Sequence, residues 1–317
     1  MALSPCVDRT SVVDRLVVGA IHRPSTITVT PGGKGFNVAR AARLLGSPVM
    51  AAGVVGGFSG RWLAQALRSA GVEALLIPGH SETRTSHSVA DLSTGVMTDF
   101  YEPATAVTSD EWSQLEQCVG ERVAPGDWLS ISGTLAAGAP ASAVSRLVDI
   151  ARRAGAHSAV DTHGPALVDA IAARADVIKV NVNEATAALT ALSGVSGEAT
   201  VSTRGSGLAA ALGRASGAMA IVTAGRSGAY GCGLHLDCPG RGPYPVGSGD
   251  SFLGGLLTVF HGAPWPPSPS KLAAALRLAT GAATANALVP GAAVFDSAEA
   301  RCLADLASVT KAVRPQR

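Results

Sequence analysis

The segment Pro245-Val246-Gly247-Ser248-Gly249-Asp250-Ser251-Phe252-Leu253-Gly254-Gly255 runs a glycine-rich turn straight into an apolar helix. The first amides of a helix have no intrahelical acceptor, and glycines let such groups approach negative charge closely. Gly247, Ser248 and Gly249 therefore form a candidate anion hole. Asp250 then places a carboxylate beside it. That residue reads either as a helix N-cap or as a base next to an anion site, the combination that phosphoryl transfer to an alcohol requires.

A second glycine-rich turn, Pro31-Gly32-Gly33-Lys34-Gly35-Phe36-Asn37, opens a helix near Val38. It is not a Walker A loop, which needs Gly five residues before its Gly-Lys pair and Ser or Thr after the Lys. Gly32, Gly33, Lys34 and Asn37 offer close backbone approach, a cation and an amide to a polyhydroxylated anionic ligand; the alternative is an ordinary helix-initiating turn. Lys179-Val180-Asn181-Val182-Asn183-Glu184 ends a strand and starts a helix, so that Asn181 and Glu184 either hold a hydrated Mg²⁺ or cap the helix. Thr223-Ala224-Gly225-Arg226-Ser227-Gly228 follows a strand as a nucleotide-phosphate turn would. Ser130-Ile131-Ser132-Gly133-Thr134-Leu135 closes another with small hydroxyl residues, at the edge where open α/β sheets bind ligands.

These pieces need a scaffold, and the apolar runs supply one. Strands are expected at Trp128–Ser132, Ser158–Asp161, Val177–Asn181 and Ala220–Thr223, and helices at Val38–Leu45, Arg61–Ala70, Ala141–Ala154, Glu184–Leu192 and Lys271–Leu288. The alternation is the βαβ rhythm of a parallel sheet. Residues 9–30 and 83–102 break it with alternating polar and apolar residues. They are expected to form exposed antiparallel strands outside the core, a lid on a single 317-residue domain.

Bulk properties exclude several classes. The net charge of +2 comes from arginines spread along the chain, which disfavours nucleic acid as a partner. Five scattered cysteines suggest no disulfide framework, and residues 1–9 show no signal peptide, so a cytoplasmic location is expected. A mean hydropathy of +0.29 reflects alanine; the uncharged stretches 252–270 and 278–295 are broken by prolines and Asn286, so no membrane span is read. None of the seven histidines has metal-ligand spacing, and His163, near a strand end, reads as a loop residue. The tail 313–317 is expected to fray.

Taken in order, residues 4–297 resemble the ribokinase (PfkB) family of carbohydrate kinases. Gly32-Gly33-Lys34-Gly35-Phe36-Asn37-Val38-Ala39-Arg40 is similar to its first signature, Val246-Gly247-Ser248-Gly249-Asp250-Ser251 to its second, and Asn181-x-x-Glu184 to its N-x-x-E magnesium motif. Ser4-Pro5-Cys6-Val7-Asp8 resembles the N-P-A-x-D start of the phosphosugar branch, which includes 1-phosphofructokinase and tagatose-6-phosphate kinase. Thr83-Arg84-Thr85 resembles that branch's T-R element. Thr98-Asp99-Phe100, Val107-Thr108 and Trp112 look especially like 1-phosphofructokinase.

The resemblance implies a ribokinase-like doubly wound, mostly parallel sheet flanked by helices, with a small β-sheet lid. It implies ATP and Mg²⁺ as cofactors and a ketohexose phosphate as substrate, fructose 1-phosphate first, with tagatose 6-phosphate or fructose 6-phosphate as alternatives. Asp250 would be the base and Gly247 to Asp250 the anion hole. Asp8, Gly32, Gly33, Asn37 and Ser132 would meet the sugar, and Lys34 and Arg84 its phosphate. Lys179, Asn181, Thr223, Gly225, Gly228 and Asn286 would meet the nucleotide, with Mg²⁺ held through water by Asn181 and Glu184. Exposed lid edges imply a homodimer.

Departures accompany the match. Only Met1–Leu3 precede Ser4, where the family usually has a full strand, which would leave the central sheet one strand short. Ala136-Ala137 replaces Pro-Pro, Val180 replaces the Pro of K-P-N, and Ser4 replaces the Asn of N-P-A. Two other readings stay open: a kinase for an unphosphorylated sugar or nucleoside, and a degenerate kinase that only binds a sugar phosphate. A dinucleotide enzyme is set aside, because no G-x-G-x-x-G occupies a first βα turn.

Overall fold

The computed structural model describes residues 1–193 and 205–312; the expectation for 313–317 falls outside them. In chain order its elements are β1 (Cys6–Val13), β2 (Thr26–Gly32), α1 (Lys34–Leu44), β3 (Met50–Val55), α2 (Gly57–Ser69), β4 (Glu73–Pro78), β5 (Thr85–Asp91), β6 (Val96–Tyr101), α3 (Ser109–Arg122), β7 (Trp128–Ser132), α4 (Ala143–Arg153) and β8 (His157–Asp161). There follow α5 (Pro165–Ala172), β9 (Val177–Asn181), α6 (Val182–Ser193), α7 (Gly205–Ser216), β10 (Met219–Thr223), β11 (Ala229–Gly231), β12 (Leu234–Leu236), α8 (Ser248–Phe260), α9 (Pro269–Ala287), α10 (Ser297–Leu306) and β13 (Val309–Lys311).

Alternation within β9 and β10 dictates the layers. Val177 and Ile221 enter one apolar cluster, with Val38 of α1, Phe252 of α8 and Ala279 of α9. Ile178, Val180, Ala220 and Val222 enter another, with Trp112 of α3, Leu147 of α4, Leu167 of α5 and Leu208 of α7. Strands apolar on both faces must be covered on both, and successive side chains point oppositely, so helices flank the sheet on each side. The sheet order is β13-β12-β11-β10-β9-β8-β7; β7 to β10 are parallel and β11 to β13 antiparallel.

The missing strand beyond β7 is partly replaced. Ala2 forms a parallel bridge with Ser132, the Leu3 amide donates to Ser132 C=O (3.0 Å), and the Ala2 amide donates to Ala52 C=O (2.8 Å). Met1–Leu3 thus link β7 to β3 of the parallel pair β3-β4, and the sheet is not left open at that edge.

The two irregular regions form a separate four-stranded sheet, β2-β1-β5-β6. It corrects the expectation of wholly antiparallel strands. β1 pairs antiparallel with β2, and β5 with β6, but the central pair β1-β5 is parallel, because it joins two hairpins distant in sequence rather than one meander. No described helix is long and apolar enough to cross a membrane.

Candidate active site

The carboxyl ends of the parallel strands open into a cleft of about 540 Å³, roofed by one face of the four-stranded sheet. Register places Asp8 beside Ser86, and Thr10 beside Ser88. All four side chains line the cleft, so this sheet turns a polar face toward it.

α8 enters from below. Gly254 and Gly255 give it the closest approach to its neighbours: a Cβ at Gly254 would lie 2.8 Å from that of Ala41 in α1, and one at Gly255 2.9 Å from the Ala279 Cα in α9. That packing brings the N-terminus of α8 against the first glycine-rich turn. Gly247, at φ 81, is the N-cap. The Ser248 amide donates to Pro245 C=O (3.1 Å) and the Ser251 amide to Gly247 C=O (2.8 Å), while the amides of Gly249 and Asp250 fall in the stretch that has no helical acceptor. Asp250 is therefore inside the helix, and its carboxylate makes no capping bond. The N-cap reading fails. The carboxylate instead accepts from Asn37 Nδ2 (2.9 Å). Burial, with the Asp161 charge second, raises its pKa to about 6 against the pull of Lys179, Lys34 and Asn37.

The first turn works differently. Asn37 Nδ2 also reaches Asp8 Oδ2 (3.3 Å), so one amide bridges two carboxylates, that of the half-buried Asp8 and that of the buried Asp250. Asp8 further accepts from the Cys6 thiol (2.9 Å) and the Gly33 amide (3.4 Å), and burial raises its pKa. Gly32 leaves room for Asp8, since a Cβ there would sit 2.1 Å from the Asp8 Cγ; it does not line the cleft. Lys34 Nζ donates to Asp161 Oδ1 (2.8 Å) and Glu184 Oε1 (3.1 Å). Burial works against its charge, but the two carboxylates prevail and raise its pKa.

Asp161 is the residue that sequence reasoning passed over. Fully buried at the end of β8, it also accepts from Lys179 Nζ (2.5 Å), and these two lysines overcome burial to hold its pKa low. The one available signal was a carboxylate at the carboxyl end of a parallel strand. Lys179 in turn lies under the second turn, where a Cβ on Gly249 would be 2.8 Å from its Nζ.

Asn181 and Glu184 cap one another: the Asn181 amide donates to Glu184 Oε2 and the Glu184 amide to Asn181 Oδ1, both at 2.9 Å. Both still line the cleft. Among the described residues no group of three His, Cys, Asp or Glu side chains could cage a metal. One carboxylate at the rim fits an ion that keeps its waters and is held mainly by phosphates. Thr223, Gly225 and Gly228 line the same end.

Besides Gly32, two further expected contacts are corrected. Ser132 is fully buried and interacts with Ser130 (3.0 Å), while Gly133 and Thr134 face the cleft in its place. Asn286 is also fully buried; it donates to Val246 C=O (2.8 Å) and Ser248 Oγ (3.1 Å) and accepts from the Ala293 amide (2.7 Å) and Ser251 Oγ (3.2 Å). With its amide fully used, it has nothing left for a nucleotide. Arg84 does line the cleft, donating to Glu102 C=O (3.1 Å) and Ser4 C=O (3.4 Å). His163 meets Thr134 Oγ1 (3.1 Å), as a loop histidine.

Known proteins resemble this chain in sequence and in fold. The 1-phosphofructokinase of Rhodobacter capsulatus is 33% identical over 267 residues, 81% of each chain. The ATP-dependent 6-phosphofructokinase isozyme 2 of Escherichia coli K12 is 30% identical over 188 residues, 59% of this chain and 60% of its own. The crystal structure of phosphofructokinase-2 from Escherichia coli in complex with substrates and products superposes with a TM-score of 0.82 at 25% identity, covering 96% of this chain and 97% of that one. The family described as pfkB family carbohydrate kinase matches residues 1–299, and with that match over nearly its whole length the chain belongs to the pfkB family of carbohydrate kinases.

Proposed function

We propose that this carbohydrate kinase transfers the γ-phosphoryl group of ATP to a free hydroxyl of a phosphorylated ketohexose, fructose 1-phosphate in the first place, with Asp250 as general base. One observation carries the reading. The buried side-chain polar atoms without a partner among the described residues are Ser4 Oγ, Thr30 Oγ1, Asn37 Oδ1 and Arg84 Nε. Thr30 is the ladder neighbour of Asp8, Asn37 bridges Asp8 to Asp250, and Arg84 rests on Ser4. Orphaned buried groups are rare; of these four residues Asn37 and Arg84 line the cleft, and an amide oxygen and a guanidinium nitrogen beside the Asp8 carboxylate suit a polyol that carries an anion. The names of the relatives support the same substrate class.

In this reading Asp8 and Asn37 orient sugar hydroxyls, and Arg84 grips the phosphate already on the sugar with its unpaired edge. Lys34, held by Asp161 and Glu184, is less free for that phosphate than the resemblance implies. The acceptor hydroxyl gives its proton to Asp250 as its oxygen attacks the γ-phosphorus and the bond to the ADP oxygen breaks. The amides of Gly249 and Asp250, with Lys179 beneath them, meet the charge on the transferring group. Glu184 and Asn181 would hold Mg²⁺ through water, and the ion, when bound, neutralises phosphate oxygens of ATP. The four-stranded sheet acts as a lid that excludes water from the reacting atoms. Its outer face sets Val29, Arg9, His87 and Phe100 side by side, with Ile27 and Phe100 at least half exposed, which suits pairing with a second copy in a homodimer.

Asp250→Asn tests the chemistry. With MgATP and fructose 1-phosphate, its kcat is expected to fall on the order of 10³-fold while ATP affinity holds. A variant that kept most of its kcat would rule out Asp250 as the base.

A further inference from the structure

Behind the second turn lies a buried loop, residues 291–293, with two polar anchors. Ala293 has φ 50, a left-handed conformation that a side chain disfavours, and Gly291 before it has φ 111. Such backbone persists only where its surroundings over-determine it. Here they do. The Ala293 amide donates to Asn286 Oδ1 (2.7 Å), and its carbonyl accepts from Arg40 Nη2 (2.9 Å). Arg40 Nη1 binds Ala292 C=O (2.9 Å) and, across the site, Pro31 C=O (3.4 Å). Ala292 lies directly against the anion hole, since a Cβ on Gly247 would be 2.5 Å from its own.

Arg40 is 7% exposed and meets three backbone carbonyls without an ion pair among the described residues. Burying a guanidinium in that way is expensive, and burial, opposed by the Asp8 charge, lowers its pKa to about 10, so it stays charged at neutral pH. Asn286 closes the other side, holding Val246 C=O, Ser248 Oγ and Ser251 Oγ of the second turn. The hydrogen bonds run from Pro31 of the first turn through Arg40, the 292–293 loop and Asn286 to the second.

We propose that Arg40 and Asn286 are positioning residues that clamp the strained 291–293 loop beneath Gly247 and so fix the amides of Gly249 and Asp250 in register with the sugar turn. Neither touches a reacting group. The clamp rests on the proposed function only in its effect on turnover; its effect on the backbone does not.

Hydrogen–deuterium exchange of the ligand-free protein decides it. Arg40→Lys keeps the charge but replaces the two-nitrogen fork that spans Pro31, Ala292 and Ala293 with a single nitrogen on a shorter reach, and Asn286→Ala removes the other anchor. Each is expected to speed exchange in peptides spanning 245–253 and 288–296 roughly tenfold or more, the scale of losing a buried hydrogen bond, while peptides of α4 and β8 stay protected. The double variant should exceed the larger single effect only slightly, because both residues hold one loop. In turnover, kcat should fall about 10²-fold with the affinity for ADP unchanged. Unchanged exchange at 245–253 in either variant, equal acceleration throughout the chain, or additive effects would each overturn the clamp. If the wild-type protein turned over no sugar phosphate, the proposed function would fail, and the exchange result would still settle the clamp.

Discussion

Two glycine-rich turns, each opening a helix and packed side by side, do opposite things. The turn at 31–37 presents side chains: Lys34 is tied to Asp161 and Glu184, and Asn37 spans Asp8 and Asp250. The turn at 245–250 presents backbone, with Gly247 in a left-handed conformation and free amides after it, plus one carboxylate of raised pKa. Glycine in the first makes room for Asp8; in the second it makes room for Lys179 and for Ala292. Similar local sequence therefore does not imply similar chemistry. What separates the turns is which groups are already paired.

If that division holds, damage to the second turn lowers kcat and damage to the first raises KM. Gly247→Ala forces a side chain into φ 81 and onto Ala292, and kcat is expected to fall about 10²- to 10³-fold, as for a lost oxyanion donor, with the sugar KM nearly unchanged. A KM effect as large as the kcat effect would break the comparison. Steady-state kinetics against both substrates reads this directly.

Asp250→Asn sharpens it from the side of stability. The folded pKa of about 6 lies above the ordinary 3.8, so the native state binds the extra proton between those values. Stability contributed by this group is present at low pH and is lost as pH rises through about 4 to 6. Removing the charge should then stabilise the fold at pH 7 by on the order of 2 kcal/mol, with no gain below pH 4. Thermal melts of both proteins at pH 7 and pH 4 check the sign.

On the first turn's side, Arg84→Ala should raise KM for the sugar phosphate about tenfold or more, the loss of a charge-assisted pair, and leave kinetics with unphosphorylated fructose unmoved. Lys34→Met should do less, a few-fold in KM, because Lys34 is already neutralised by two carboxylates. A larger effect at Lys34 than at Arg84 would mean that Lys34 leaves Glu184 to take the phosphate.

The central sheet was legible because its strands are apolar on both faces: β7 and β9 span the expected residues, and β8 and β10 differ by one. The helices α1 and α2 start four residues earlier than expected, because glycines that look like turn residues lie within their first turns. The parallel β1-β5 pairing was not legible, since alternation gives the faces of a strand but not its partner. Asp8, Asn37, Arg84 and Asp250 were found through motifs and do meet in one cleft. Asp161, Asn286 and Arg40 act through partners as far as 127, 40 and 253 residues away, and no local pattern encodes those distances.

The most direct test of the proposed activity is the rate of ADP release with MgATP across fructose 1-phosphate, tagatose 6-phosphate, fructose 6-phosphate, fructose and ribose. Turnover confined to phosphorylated ketohexoses, with fructose 1-phosphate exceeding fructose in kcat/KM by about 100-fold or more, the scale of a well-placed charged contact, is the expected result. Equal or faster turnover with free fructose or ribose would contradict it and make Arg84 a structural residue.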